Sequence, residues 1–270
     1  MSDQKNKSVA KAKETAIAKP PGVIEGMEGI EQDMLLIPRI KLIQALSAEV
    51  MEEDIKAGSF SDSVLKQVIA ASKGKEGAEI SIVPVQVTTR SRIWFKGLDD
   101  GGGILCRADN GKIGIGEPGG SCHPCPMAQW QTGEKGERLS PRCTEFLNLF
   151  VIVEGYESAT PLVLSFSKTN IAAGRQLINF IYSKRVSPWN FKYKLSSKFE
   201  DNGEFKYWTM KVSGDGIPDP ELKATAENYY RMLKDVQHVV DDIDAAAAGE
   251  QPDKPEQRIP DGEIDEDVGF

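Results

Sequence analysis

Histidine is nearly missing from this chain. His123 and His238 are the only two in 270 residues, and neither stands in a cluster of acids or nucleophiles, so the commonest side chain for proton transfer near neutral pH has little to do here. No glycine-rich Walker loop, His-Glu-x-x-His or Gly-x-Ser-x-Gly string occurs either, and the reading is of a protein that is not an enzyme. Asp99-Asp100-Gly101-Gly102-Gly103 reads as a linker rather than a metal or phosphate loop. Long apolar runs are also absent. Nothing approaches the run of about 18 apolar residues that a membrane helix needs, and Met1 to Lys19 has lysines without the apolar stretch of a secretory signal. A soluble chain, away from membranes and in a reducing cytoplasm, is expected.

Cysteine is scarce too, with four residues, but their spacing is organised. Cys106, Cys122, Cys125 and Cys143 form Cys-x15-Cys-x2-Cys-x17-Cys. That array predicts one structural Zn2+ per chain: Cys122 and Cys125 present sulfur from a tight knuckle, and Cys106 and Cys143 close the tetrahedron from flanking segments. Two disulfides are the alternative, disfavoured by a reducing compartment. His123, between the paired cysteines, reads as a bystander. The surrounding insertion, 101–145, is rich in glycine and proline and reads as a loop too irregular to hold itself by apolar burial; the metal would supply the missing core.

Acids are absent from one long stretch and crowded into another. Residues 241–270 hold eleven acids against Lys254 and Arg258, a net of −9. The whole chain carries −8, so the first 240 residues sum to +1. The acidic pI of about 5.1 belongs to the tail and does not argue against a nucleic-acid partner. Residues 1–30 read as a disordered basic arm, 241–270 as a disordered acidic tail and 31–240 as one folded domain.

Within that domain, Glu79 to Phe95 is β-branched and strand-like, bent at Pro84. Phe146 to Glu154 and Pro161 to Ser167 are apolar strands. A helix follows, capped by Thr169 or Asn170 and burying Ile171, Leu177, Ile178 and Ile181. Phe191 to Glu200 and Glu204 to Ser213 flank Asp201-Asn202-Gly203, a strong hairpin turn. The order β-β-β-α-β-β predicts a mainly β fold of OB type: a five-stranded barrel with a zinc-binding loop inserted between its first two strands. Asp219 and Pro220 start a further, C-terminal helix, whose stripe of Leu222, Ala226, Tyr229, Leu233, Val236 and Val240 should dock on the barrel. The segment 37–78 is expected to pack against the barrel.

From Ser158 through Phe199 there is no acid at all, while Lys168, Arg175, Lys184, Arg185, Lys192, Lys194 and Lys198 appear, preceded by Arg90 and Arg92. Aromatics interleave: Trp189, Phe191, Tyr193 and Trp208, with Trp94 and Trp130 earlier. A basic groove follows phosphates and exposed rings stack on unpaired bases, so these fifteen positions are the candidate contacts to single-stranded DNA, and to RNA as an alternative. Phe191 and Tyr193 share one strand face, which is either a stacking platform or core.

The chain's end, Asp261-Gly262-Glu263-Ile264-Asp265-Glu266-Asp267-Val268-Gly269-Phe270, resembles the acidic tails of bacterial and bacteriophage single-stranded DNA-binding proteins, which finish in a hydrophobic residue. Cys122-His123-Pro124-Cys125-Pro126 with Trp130, and Ile37-Pro38-Arg39-Ile40-Lys41-Leu42, are similar to phage proteins of this general type. The resemblance implies an OB-fold with structural zinc, coating of unpaired strands in DNA replication, recombination and repair, and a host-cell cytoplasmic location. It also implies recruitment of replication and recombination proteins through Asp261, Glu263, Asp265, Glu266, Asp267 and Phe270. A zinc-stabilised module that binds a host polymerase, or a strand-annealing recombination protein, are the other readings.

Overall fold

In the computed structural model, residues 38–87, 90–97, 102–134, 136–158, 160–203 and 205–233 are described. The expected arm at 1–30, the expected tail at 241–270 with the six positions proposed for partner binding, Asp99 to Gly101, Val236, His238 and Val240 lie outside them. The strands are β1 (Arg39–Leu42), β2 (Phe60–Asp62), β3 (Val68–Ala70), β4 (Glu79–Val87), β5 (Ser91–Phe95), β6 (Ile104–Ala108), β7 (Ile113–Gly116), β8 (Gly120–Ser121), β9 (Gln131–Thr132), β10 (Arg138–Leu139), β11 (Cys143–Val153), β12 (Leu162–Ser167), β13 (Lys192–Asp201) and β14 (Lys206–Gly216). The helices are α1 (Ala48–Glu52), α2 (Ile171–Ser183) and α3 (Pro220–Leu233).

Twelve of these strands join in one mixed sheet, and β9 and β10 form a separate hairpin. β11 organises the sheet. Its second half pairs antiparallel with β4 and its first half with β5, while β12 lies along its other edge. Pro84, which has no N–H to give a ladder, pairs with Val151 where the register shifts after Phe150, so a bulge absorbs the break. The opening of β4 pairs with β13, and β13 with β14. The turn expected at Asp201-Asn202-Gly203 joins those two: the Gly203 N–H donates to Asp201 Oδ1 at 3.0 Å and the Phe205 N–H to Asn202 Oδ1 at 2.7 Å.

The expected closed five-stranded barrel is not what forms. β1, from the segment that carried no clear pattern, runs parallel to β12 and, through β2 and β3, extends the sheet beyond it. Among the described residues β14 pairs with β13 alone. Side chains bridge the open seam in place of a ladder. The Gln44 amide accepts from the Trp208 N–H at 2.9 Å and donates to its carbonyl at 3.1 Å. Asn170 stands at the N-cap of α2 as expected, but its side chain makes no capping bond and accepts the Met210 N–H at 2.7 Å.

The curled sheet wraps an apolar interior supplied by alternate residues of these strands, including Ile82, Leu149, Leu164 and Leu195, with Leu177 and Ile181 of α2. Gly58 lies against this core: its φ of +87° suits glycine, and a Cβ there would stand 2.7 Å from the Trp208 indole. On the opposite face Val83, Val85, Phe150 and Val163 pack under Ala226 and Tyr229 of α3. That helix starts as expected, with the Leu222 N–H donating to Asp219 Oδ1 at 2.8 Å. The insertion 101–145 is more regular than its composition suggests. β6, β7 and β8 continue the sheet outward from β5 as a meander, so the ladder itself holds part of this segment.

Candidate nucleic-acid interface and cysteine pocket

Strand register gathers the four cysteines. Cys143 on β11 and Cys106 on β6 both pair with Trp94 of β5, the first opposite on one side and the second on the other. The knuckle folds back over them: the Cys125 N–H donates to the Cys122 carbonyl, and the Cys122 N–H to the Lys112 carbonyl. All four cysteines are free and line one pocket with Trp94, Met127 and Gly114. Gly114 is needed there, because a Cβ would come 2.7 Å from Cys106 Sγ. Burial pushes the Cys143 thiol up to about 11 and raises that of Cys122, while the nearby Arg92 opposes both shifts. Among the described residues no three or more His, Cys, Asp or Glu side chains stand close enough to hold a metal ion as they are. The donor chemistry suits zinc, and the sulfurs share a pocket, but they do not form a finished tetrahedron.

The expected nucleic-acid contacts do not converge on one groove. Trp189 is 9% exposed and packs against Tyr230 of α3 at 4.7 Å between ring centroids; Trp208 is 7% exposed, edge-on to Phe199. Tyr193 is 2% exposed and stacks on Phe180. These three rings are core, which corrects the reading of Trp189 and Trp208 as stacking contacts; for Tyr193, whose strand face was expected to be either platform or core, burial selects core. Phe191 is half-buried with the Lys184 ammonium 4.9 Å above it.

The acid-free run of sequence is not acid-free in space. The turn after β11 brings Glu154 to Lys192 at 2.8 Å and the neighbouring β4 brings Glu79 to Lys194 at 3.4 Å, while Glu200 on the same strand reaches Lys198 at 2.8 Å. The Glu154 hydrogen bond holds the Lys192 ammonium above the ordinary lysine range. This strand is therefore a set of ion pairs more than a bare cationic rail. Lys168 and Arg185 are exposed and both have positive φ, the first opening the short 3-10 turn before α2 and the second just past its end.

Exposure instead favours two other places. Trp130, 52% exposed on the insertion, has the Arg138 guanidinium 4.4 Å over its ring. The second lies on the outer face of β5, β11 and β12, where Phe95 and Phe146 meet edge to face at 6.5 Å. Register puts Asn148 beside Ser165 and Phe146 beside Ser167, and Arg39 reaches Ser165 from β1 at 3.5 Å. α3 covers the other end of this face over Phe150 and Ile152, leaving the Phe146 end half-buried and polar-edged. Phe95, Phe146 and Arg138 were not singled out from sequence; the alternation through Thr144, Phe146 and Asn148 was the available signal.

A third grouping surrounds Glu145. Arg90 Nε lies 3.0 Å from Glu145 Oε1, Arg92 Nη2 is 3.0 Å from Oε2, and Arg175 Nη2 stands 3.8 Å from Oε1. Three expected contacts thus come together from β5, the residue preceding it and α2, around an acid that sequence reading passed over.

The fold and these sites define a mainly β protein whose large mixed sheet carries a cysteine-bearing meander and, among the described residues, three helices. Residues 5–239 match the family described as Pam3 phage gp34-like protein, and the chain belongs to that family. No curated protein and no solved structure matches it. No helix among the described residues is long and apolar enough to cross a membrane.

Proposed function

We propose that this chain is a non-enzymatic single-stranded DNA-binding protein that coats unpaired strands during phage DNA replication or recombination. The observation that carries the reading is the pairing scheme. One long interrupted strand, β4 with β5, pairs along its length with β11 and at its start with β13; α2 connects β12 to β13, and β13 turns back as β14. We read this order as an OB-like one, left open where β1 adds to β12. Fold alone does not name an activity. Support comes from what lies where such folds bind oligonucleotides: the Phe95 and Phe146 face, and Trp130 with Arg138 on the loop between the first two barrel-type strands.

Two further parts belong to this proposal. Zinc at Cys106, Cys122, Cys125 and Cys143 would draw the pocket into a tetrahedron and stiffen the meander beneath Trp130. The acidic tail, ending in Phe270, would compete with phosphates for the basic surface and recruit replication or recombination proteins once displaced.

Photocrosslinking of the full chain to an oligonucleotide bearing thiothymidine, with peptide mapping, tests the placement. Crosslinks at Phe95, Phe146 or Trp130 support it; crosslinks confined to α3, or none, overturn it.

A further inference from the structure

We propose that Arg90, Arg92 and Arg175, gathered around Glu145, form a subsite for a phosphomonoester, the phosphorylated end of a DNA strand. The source of the phosphate rests on the strand-binding reading above; the chemistry of the subsite does not.

Three guanidinium groups repel one another, and bringing them together is unfavourable unless a carboxylate lies between them. Glu145 serves that purpose. It sits opposite Arg92 in the β5–β11 register, with its side chain only 18% exposed, and it neutralises one charge of three. Among the described residues a net of +2 remains. By contrast the Lys41–Glu49 and Lys192–Glu154 pairs join one base to one acid and leave nothing over.

The leftover charge is on the open side. Arg90 and Arg175 are 51% and 59% exposed, whereas Arg92 is 17% exposed and anchors the cluster from below. Arg175 stands beyond hydrogen-bond reach of the carboxylate, and Glu145 Oε1 makes no hydrogen bond of good geometry although Arg90 Nε is near. The guanidinium forks of Arg90 and Arg175 are therefore not spent on Glu145. An incoming group with several acceptor oxygens and a charge near −2 matches both the donors and the residual charge. A phosphomonoester has those properties at neutral pH, and an internal phosphodiester carries half the charge.

The full chain would be titrated, by fluorescence anisotropy, into oligothymidylates of one length carrying two hydroxyl ends, a 5′-phosphate or a 3′-phosphate. Thymidine monophosphate and inorganic phosphate would be titrated by calorimetry. One phosphorylated strand should bind about tenfold tighter than the hydroxyl-ended strand. Arg175→Gln and Arg90→Gln should each bring that ratio to about one, and Arg175→Lys should keep part of it. Equal binding of the three strands, with no uptake of thymidine monophosphate, overturns the subsite and leaves strand binding standing. Thymidine monophosphate binding that is lost in Arg175→Gln, with no strand bound, keeps the phosphate chemistry and overturns both the strand end as its source and the strand-binding reading. If nothing binds, both fall.

Discussion

Gln44 and Trp208 are joined across the open seam of the sheet by a reciprocal pair of hydrogen bonds, side-chain amide to backbone N–H at 2.9 Å and to backbone carbonyl at 3.1 Å. One glutamine thus replaces a rung of the ladder that would have closed a barrel. Gln44→Ala leaves a backbone donor and acceptor at the seam without this partner and should destabilise the protein by about 1–3 kcal/mol. Urea denaturation monitored by Trp fluorescence would measure it. Gln44→Glu, which keeps an acceptor but cannot donate to the carbonyl, should also be destabilising.

Gly58→Ala probes the same region from the other side. A positive φ and a 2.7 Å approach to the Trp208 ring both act against a Cβ, so a loss of roughly 2 kcal/mol is expected. Gly74, also at positive φ but with open space around it, should lose less on the same change.

The tryptophans separate stability from binding. Trp189→Ala removes a buried ring from the contact with Tyr230 and should cost about 3 kcal/mol or more in unfolding free energy. Trp130→Ala, at an exposed position, should change stability by no more than about 0.5 kcal/mol. It should weaken single-strand binding by about 1–3 kcal/mol, readable in a titration that leaves the melting curve in place.

Metal analysis of freshly reduced protein should find one zinc per chain, and the double change Cys122→Ser with Cys125→Ser should abolish it. Chelation should loosen the insertion, giving faster hydrogen exchange in β6 and β7 than in β11. A zinc-free native protein, or full zinc content in the double variant, contradicts the assignment.

Removing residues 261–270 should raise single-strand affinity at low salt and matter less at high salt, where screening has already weakened the tail's competition. Phe270→Ala should leave strand affinity nearly intact while impairing capture of a partner polymerase or helicase.

Legibility in the sequence followed the range of the interactions involved. Local signals carried through: the Asp219 cap, the Asp201-Asn202-Gly203 turn and the apolar run of β11 each depend on neighbours within a few residues. The seam did not, since Gln44 and Trp208 are 164 residues apart and nothing in the short strand Arg39–Leu42 announces a parallel partner in β12. Aromatic residues beside lysines looked like a stacking surface. Whether the ring or the lysine faces solvent, however, is set by which face α2 and α3 cover, and that is a tertiary fact. Glu145 was invisible for a similar reason: its three arginines arrive from positions up to 55 residues away in sequence, joined only by register and by α2.

The most direct test of the central claim is the affinity of the full chain for single-stranded DNA against duplex of the same sequence across a salt series. Preferential binding of the single strand is expected, with log K falling linearly with log salt by about 0.7 for each phosphate contacted. With an end-phosphorylated strand the slope should shrink in Arg90→Gln and Arg175→Gln, while Phe146→Ala should lower affinity for any single strand with little change in slope. Duplex binding as tight as single-strand binding, or no binding to either at low salt, would contradict the account.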